Sequence, residues 1–232
     1  MVRCRIADFN IIFENRYDFV KSLCSAYRAE FSEADYIIRA TEAEILREKQ
    51  LMGEAFSLGY CEATCLYRNL CNSILAQEAF LLHGAAVEYG GRSCVYLGRS
   101  GVGKSTHAQL LKEYCPEVTI INIDKPIIRR IDGSFYAYGS PWCGKEVVQT
   151  RTRAIVSNLC FLEQSSGNEI RKLESGEAVE RFFHQLLIPK DAVSADKLLA
   201  LADGFLKSVG FYLLRCNVSR AAAEMSFNTL LK

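Results

Sequence analysis

The sequence lacks the features that mark membrane-spanning, secreted and nucleic-acid-binding proteins. No stretch approaches the roughly 18 uncharged apolar residues of a transmembrane helix. The net charge is only +1, which gives no electrostatic reason to expect nucleic acid or a membrane as a partner. The apolar run near the N-terminus is short and is interrupted by Asp8, Asn10 and Glu14, so it does not read as a signal peptide. We therefore expect a cytoplasmic globular protein.

The C-x-x-C spacing of a zinc site is also absent, although the chain contains ten cysteines. Cys61, Cys65 and Cys71 form the only cluster, and neither a nearby histidine nor a fourth ligand completes a metal site. The cysteines are therefore predicted to be buried, reduced thiols, in keeping with a reducing cytosol.

No linker, internal repeat or low-complexity stretch divides the chain. Half of the residues are hydrophobic (50%) and 24% are charged, a composition typical of a globular protein with a well-formed core. Residues 1–79 are predicted to form an N-terminal α+β lobe or sheet extension, and residues 80–232 to form the core domain.

Hydrophobic periodicity predicts strands and helices throughout the chain. Gly90-Gly91 and Asp132-Gly133 each predict the turn of a β-hairpin, and Thr41 with Glu44 matches a capping box that opens a polar helix. A hairpin on each side of a helix differs from a plain run of alternating strands and helices, so a mixed-sheet α/β core is predicted. The predicted strands cover residues 6–13, 34–40, 80–89, 92–97, 117–124, 127–131, 134–138, 154–162 and 211–215. The predicted helices cover residues 17–27, 58–79, 176–187, 194–208, the residues after position 105 and the C-terminus.

The strongest motif lies at residues 98–105, where Gly-Arg-Ser-Gly-Val-Gly-Lys-Ser fits the phosphate-loop pattern G-x-x-x-x-G-K-[ST]. The glycines allow consecutive backbone N–H groups to point at phosphate oxygens, and a helix that starts at the end of the loop directs its positive dipole at the same anion. A β-prone run precedes the motif and a helix-compatible run follows it, as such a loop requires. The predicted nucleotide-binding residues are Gly98, Ser100, Gly101, Val102, Gly103, Lys104, Ser105 and Thr106.

Asp124 ends a buried apolar strand beside the predicted phosphate loop, which is where a magnesium ligand or a catalytic carboxylate belongs. With Ser105 it would bind Mg²⁺, or it would accept the proton of an attacking hydroxyl; the alternative is a carboxylate that merely caps the next turn. His83 would lie near Asp124 if their two strands are neighbours, where it could orient the carboxylate or stabilise phosphate charge. Otherwise His83 is a satisfied core residue. His107 and His184 lie in helical patterns with no partner in view and are predicted to be structural.

A turn-rich loop at residues 139–145 carries the only tryptophan, Trp142, and a lysine, Lys145. Trp142 could stack on a substrate and Lys145 could contact phosphate or the acceptor. The alternative is that both residues only order a turn.

Four stretches of the chain resemble the C-terminal kinase domain of HPr kinase/phosphorylase and its smaller relatives. In order, they are His-Gly-Ala-Ala-Val at 83–87, the phosphate loop extended by Thr106, Asn-Ile-Asp-Lys-Pro at 122–126 and Tyr-Gly-Ser-Pro-Trp-Cys-Gly-Lys at 138–145. The resemblance spans residues 80–165 and implies a phosphoenolpyruvate-carboxykinase-like P-loop core. One departure is Ile123, because the relatives have two adjacent acidic residues where this chain has Ile123-Asp124.

The resemblance implies a Mg²⁺-dependent kinase that transfers phosphate from ATP or another nucleotide to a hydroxyl. The acceptor would be a serine of a peptide or a small molecule, and the sequence allows a homo-oligomer. The alternative is a nucleotide-binding switch or maturation-complex subunit without phosphotransfer, for which the loss of the first acid at Ile123 is the reason. The acceptor, the oligomeric state and the choice among ATP, ADP and pyrophosphate as donor stay open.

Overall fold

The computed structural model describes residues 1–144 and 150–232, which divide into two compact units, Met1–Gln77 and Glu78–Lys232. Both units mix helices with strands. No helix in the described part of the chain is long and apolar enough to cross a membrane.

The first unit is built on a three-stranded sheet in the order β1-β2-β3, in which β1 and β2 are antiparallel and β2 and β3 are parallel. The single strand predicted over residues 6–13 is wrong, because the chain turns back at Ala7 and Asp8. These two residues have φ angles of 51° and 63°, a left-handed turn that hydrophobic periodicity does not reveal in non-glycine residues. The strands are β1 (Val2–Ile6), β2 (Phe9–Glu14) and β3 (Tyr36–Arg39).

Three helices complete the first unit: α1 (Asp18–Leu23), α2 (Glu42–Met52) and α3 (Leu58–Ile74). The capping box is confirmed, since the Thr41 side chain accepts from the Glu44 N–H and the Glu44 carboxylate accepts from the Thr41 N–H. Helix α3 is shorter than predicted and gives way to a 3-10 turn over Leu75–Gln77.

The second unit contains a nine-stranded mixed sheet. Strand β10 lies inside this sheet and pairs in parallel with β6 on one side. On its other side, the first residues of β10 pair antiparallel with β9 and its later residues pair in parallel with β12. The mixed-sheet α/β prediction is therefore confirmed at the level of architecture. The strands are β4 (Ala79–Leu81), β5 (Ala85–Tyr89), β6 (Arg92–Leu97), β7 (Thr119–Asn122), β8 (Ile127–Ile131), β9 (Ser134–Tyr138), β10 (Arg153–Gln164), β11 (Glu169–Lys172) and β12 (Gly210–Cys216). The helices are α4 (Lys104–Tyr114), α5 (Ser175–Phe183), α6 (Ala192–Leu206) and α7 (Arg220–Leu230).

Helices α4 and α7 pack together against the sheet over a buried apolar cluster that includes Tyr96 and Leu111. The Tyr96 hydroxyl is satisfied inside this core by Ser226 Oγ at 2.5 Å. Nine of the ten cysteines are buried and Cys216 is partly buried, so the prediction that the thiols lie in the core is confirmed. This packing fixes the start of α4 at one end of β6.

The strand predicted over residues 80–89 is interrupted at residues 82–84, so that β4 pairs with β8 while β5 pairs with β6 and β7. His83 therefore lies in the connection between two strands and not on a hairpin strand. The interruption has a long-range cause that local periodicity cannot show. The N–H groups of Leu82, His83 and Gly84 donate to the carbonyls of Pro126, Gln185 and Asp124, respectively.

A glycine is required at position 84 because the backbone of this break passes too close to β6 to leave room for a side chain. A Cβ atom there would lie 2.9 Å from the Tyr96 carbonyl oxygen and 2.7 Å from Leu97 Cδ2. We expect Gly84→Ala to lower the free energy of unfolding by about 1–3 kcal/mol, because the backbone of β6 would have to move. Urea denaturation measures the change. The control is Gly176→Ala in α5, where nothing lies within 4 Å and alanine favours the helix, so stability should hold or rise. Equal destabilisation by both substitutions would contradict the close-approach argument.

Candidate active site

Residues 98–103 form the loop between β6 and α4, as the motif requires. Gly98, Gly101 and Gly103 all have positive φ angles of 144°, 79° and 109°. Gly103 is the N-cap of α4 and has no side chain to occupy the first-turn N–H groups, so these donors face the loop. The arrangement is suited to holding an anion such as a phosphate group at the positive end of the helix.

Lys104, the first residue of α4, is only 7% exposed. Its ammonium group bends back over the loop, where Nζ donates to the Gly98 carbonyl oxygen at 2.9 Å and to that of Arg99 at 3.3 Å. Burial lowers the pKa of Lys104, an effect that Asp124 opposes and Lys125 reinforces. A buried ammonium group above the loop can neutralise the outer oxygens of a phosphate chain.

Ser105 ties the start of α4 to the end of β7, because its hydroxyl donates to the Ile123 carbonyl oxygen at 3.1 Å. This contact places Ser105 beside the residue that precedes Asp124. The Ile123 side chain is 2% exposed and belongs to the apolar core that also includes Ala108 and Leu111 of α4. The position of the missing first acid is therefore a core position in this chain, and the second position alone faces the loop.

We expect Ile123→Asp to destabilise the fold instead of restoring a second acid to the site. An isolated carboxylate in this core would lower the free energy of unfolding by about 3 kcal/mol or more, whereas Ile123→Val should cost about 1 kcal/mol. Thermal unfolding of the two variants beside the wild type measures the difference. A fully stable Ile123→Asp protein would contradict the core assignment.

His83 and Asp124 meet because the break between β4 and β5 lies alongside the chain that follows β7. His83 Nε2 is 3.5 Å from Asp124 Oδ1, a contact longer than a good hydrogen bond. The other carboxylate oxygen, Oδ2, accepts from Lys125 Nζ at 2.6 Å. Asp124 thus lies between an imidazole and an ammonium group. The sequence predicts no role for Lys125, although this residue adjoins the carboxylate.

The pKa of His83 is lowered by burial first and then by Lys104, while Asp124 acts in the opposite direction. Lowering the pKa of a histidine favours its neutral form. A neutral imidazole can orient a carboxylate or accept a proton, but it does not stabilise phosphate charge as a cation would.

Lys104 and Asp124 act on the pKa of His83 in opposite directions, so removing one charge or the other should shift that pKa in opposite directions. Lys104→Met should raise the pKa of His83, because a nearby positive charge is removed, and Asp124→Asn should lower it further. NMR titration of the histidine ring protons measures both shifts, since the chain has only three histidines. His107 is the internal control, because burial alone lowers its pKa to about 4. Unchanged His83 titration in both variants would contradict the geometry described here.

A buried asparagine organises the turn that carries Asp124. Asn122 Oδ1 accepts from the N–H groups of Asp124 and Lys125 at 2.8 and 2.7 Å, and its Nδ2 donates to the Ser140 carbonyl at 3.0 Å. Ser140 Oγ in turn donates to the Lys125 carbonyl at 2.6 Å. Asn122 belongs to a motif of the sequence, but the motif alone predicts no role for it. A polar residue that ends a buried strand just before a carboxylate is the signal that could have identified it.

Gln185 connects His83 to the loop over residues 98–103, a contact that the sequence does not predict. It is 8% exposed and follows α5, about 100 positions from His83. With its amide nitrogen facing two carbonyl oxygens, it donates to Gly98 at 3.1 Å and to His83 at 3.2 Å. The His83 N–H donates to the Gln185 carbonyl at 2.9 Å. No local sequence pattern predicts this contact, because it depends on where α5 packs.

Residues from separate parts of the sequence line one open cavity of about 250 Å³. The loop supplies one wall, and the ends of the β4–β5 connection and of β7 supply another. The lining residues are His83, Ser100, Gly101, Gly103, Lys104, Ser105, Thr106, Ile123 and Asp124. Convergence of a phosphate loop, a lysine, a hydroxyl, a carboxylate and an imidazole on one cavity is an arrangement that can bind phosphates and transfer a proton.

Trp142 lies in the loop that Ser140 ties to the Asp124 turn, but it is not among the described residues that line this cavity. The same loop returns to the carboxylate at Gly144, where an added Cβ would be 3.6 Å from Asp124 Cβ. Lys145, the second predicted substrate contact, falls outside the described residues.

The Ser105 hydroxyl and the Asp124 carboxylate are hard oxygen donors on neighbouring segments, which fits Mg²⁺. This ion typically takes one or two protein ligands and completes its octahedron with substrate phosphates and water. Within residues 1–144 and 150–232, no group of three or more His, Cys, Asp or Glu side chains forms a metal site. Ser105 and Asp124 therefore supply two oxygen ligands of the kind that Mg²⁺ takes together with phosphate and water.

No protein-family model and no curated protein sequence matches this chain. Among solved structures, the chain is similar to the Hpr(Ser) kinase/phosphatase from Coxiella burnetii, with a TM-score of 0.37 and 9% sequence identity. That is a distant likeness. It covers 62% of this chain and 84% of that chain.

Proposed function

We propose that this chain is a kinase that transfers the terminal phosphate of a nucleotide such as ATP to a hydroxyl of a peptide or a small molecule. The observation that carries the proposal is the shared cavity in which Lys104, Ser105, Asp124 and His83 meet the phosphate loop. Each of these groups supplies something that phosphoryl transfer needs, and the transfer itself needs no covalent enzyme intermediate.

In this proposal the loop N–H groups and Lys104 hold the phosphate chain. Ser105 and Asp124 would hold Mg²⁺, which supplies neutralisation of phosphate charge when it is bound. The acceptor oxygen forms a bond to the terminal phosphorus while the bond from that phosphorus to the bridging oxygen breaks. The acceptor proton passes to the Asp124 carboxylate, which neutral His83 orients, and the nucleoside diphosphate leaves.

Gln185 acts in this scheme as a positioning residue. When Lys104 turns from the Gly98 carbonyl toward a phosphate, the Gln185 amide still donates to that carbonyl and keeps the loop in place. The same amide contacts the His83 carbonyl, so the loop and the imidazole are held in a fixed relation.

The experiment is incubation of the full chain with γ-labelled ATP and Mg²⁺ in the presence of serine, serine-containing peptides or a small carrier protein. Label is expected on the hydroxyl of one acceptor class. ATP that binds at the loop but labels no acceptor in any class would contradict the kinase proposal.

The second candidate is a nucleotide-binding switch without phosphotransfer. It is favoured by the burial of Ile123, which leaves Asp124 as the one carboxylate among the described residues that line the cavity, and by the pairing of Asp124 with Lys125. A switch predicts nucleotide binding that changes the conformation of the protein with no consumption of the nucleotide.

A further inference from the structure

Lys125 is a charged residue beside the candidate active site that has no role in the phosphotransfer scheme above. Its Nζ donates to Asp124 Oδ2 at 2.6 Å, and the two side chains are 31% and 23% exposed, respectively. The pair is partly shielded from water, which strengthens a hydrogen bond between two charged groups. Asp124 is also one of the two residues that would hold Mg²⁺. One carboxylate is thus available to two cations.

The turn that contains Lys125 is held through its main chain and not through the lysine side chain. The Lys125 N–H donates to Asn122 Oδ1 at 2.7 Å, and the Lys125 carbonyl accepts from Ser140 Oγ at 2.6 Å. The next residue is Pro126, whose ring restricts the backbone further. The ammonium group can therefore leave Asp124 by rotation of its flexible four-carbon stem, while the turn that carries the carboxylate stays in place.

The charge of Lys125 reaches the other titratable groups of the phosphate cavity. Burial is the main cause of the lowered pKa values of His83 and Lys104, and the positive charge of Lys125 lowers both further. A free divalent ion that entered the cavity would be repelled by Lys104 and Lys125 and would have to displace Lys125 from Asp124. Ser105 and Asp124 are few ligands for that exchange, because Mg²⁺ held by one or two protein oxygens takes phosphate oxygens as well.

We propose that Lys125 is a positioning residue that exchanges with the metal: it holds Asp124 before the nucleotide binds, and it releases the carboxylate when Mg²⁺ arrives with the nucleotide phosphates. This inference rests on the proposed function, because the phosphates supply the ligands that the two protein oxygens do not. Before the exchange, the ammonium group orients the carboxylate and keeps free metal out of the site. After the exchange, Asp124 Oδ2 is available to the metal, while Oδ1 faces His83.

The test measures the binding of Mn²⁺, a paramagnetic substitute for Mg²⁺, to the full chain without nucleotide by electron paramagnetic resonance. The wild type is expected to bind Mn²⁺ weakly. Lys125→Met should bind it at least about tenfold more tightly, because the competing ammonium group is removed and the carboxylate remains. Lys125→Arg restores a cation that can pair with Asp124, so its affinity for Mn²⁺ should return to within about threefold of the wild-type value.

Two further variants show where the gain in Mn²⁺ affinity arises. Lys207→Met is the matched control, because Lys207 Nζ also lies 2.6 Å from a carboxylate oxygen, that of Asp203 on the exposed surface of α6. It removes the same charge from the chain and should leave Mn²⁺ binding unchanged. The double variant Lys125→Met with Asp124→Asn should lose the gain, since the metal ligand is removed. Thermal unfolding of Lys125→Met should match that of the wild type, because the bonds that hold the turn are to the main chain.

The outcomes separate the metal exchange from the kinase proposal. If Lys125→Met binds Mn²⁺ no more tightly than the wild type, or not at all, the exchange is wrong, whether or not label passes from ATP to an acceptor. If the gain in affinity survives Asp124→Asn, the metal binds elsewhere and the exchange is likewise wrong. If the gain appears and depends on Asp124 but no acceptor is labelled, the exchange is supported and the kinase proposal fails.

Discussion

Asp124→Asn is expected to reduce phosphotransfer by about 100- to 10,000-fold, the usual range for loss of a positioned proton acceptor. Asparagine has nearly the same shape and keeps an oxygen that can contact Lys125, but it cannot accept the proton of the acceptor hydroxyl or neutralise a metal ion. The measurement is the initial rate of label transfer at saturating ATP, with the dissociation constant of ATP determined in parallel. Binding should change much less than the rate, because the loop and Lys104 remain intact.

The matched control for this substitution is Asp132→Asn. Asp132 is exposed in the turn between β8 and β9, and its φ of 49° is a conformation that asparagine also tolerates. Transfer by the control should equal that of the wild type. Transfer by Asp124→Asn within about twofold of the wild type would remove Asp124 from the mechanism, since a catalytic base contributes far more than that.

Lys104→Met is expected to weaken ATP binding by at least about 30-fold, which corresponds to about 2 kcal/mol. The substitution removes a buried ammonium group from the phosphate cavity and keeps most of the apolar stem. The fold should survive, because Gln185 continues to donate to the Gly98 carbonyl that Lys104 releases. Calorimetric titration with Mg²⁺-ATP measures the loss.

Lys112→Met tests whether the effect is specific to the loop. Lys112 lies in the same helix and also donates to backbone carbonyls, those of Pro116 and Val118 at 2.7 and 2.9 Å. Its removal should alter stability slightly and leave ATP affinity unchanged. An equal loss of affinity in both variants would mean that the helix as a whole, and not the charge at the loop, governs binding.

Local chemistry made the loop predictable, and long-range contacts made the rest of the site unpredictable. Residues 98–105 have glycines, a lysine and a serine at the spacing typical of a loop between a strand and a helix. The structure has these elements in this order. The break at His83 depends on carbonyls of Asp124, Pro126 and Gln185, which the sequence near His83 does not specify. Periodicity therefore predicted one strand where the fold has two.

Ile123 shows how the structure changes the meaning of a sequence difference. Ile123 occupies the position of the first of two acidic residues in the family that the sequence resembles, and from the sequence alone this difference is a reason to doubt phosphotransfer. Its side chain lies in the apolar core, while its carbonyl accepts from Ser105 in the site. The neighbouring Asn122 accepts the backbone N–H groups of Asp124 and Lys125 and orients the turn. Those roles depend on which face of the strand end meets α4, which composition does not reveal.

The most direct test of the kinase proposal is ³¹P NMR of Mg²⁺-ATP incubated with the wild-type chain and a serine-containing acceptor. If the chain is a kinase, the γ-phosphate resonance declines while ADP and a phosphomonoester resonance appear in equal amounts. Formation of ADP with inorganic phosphate alone, or unchanged ATP that is nevertheless bound by the protein, would contradict transfer to a hydroxyl.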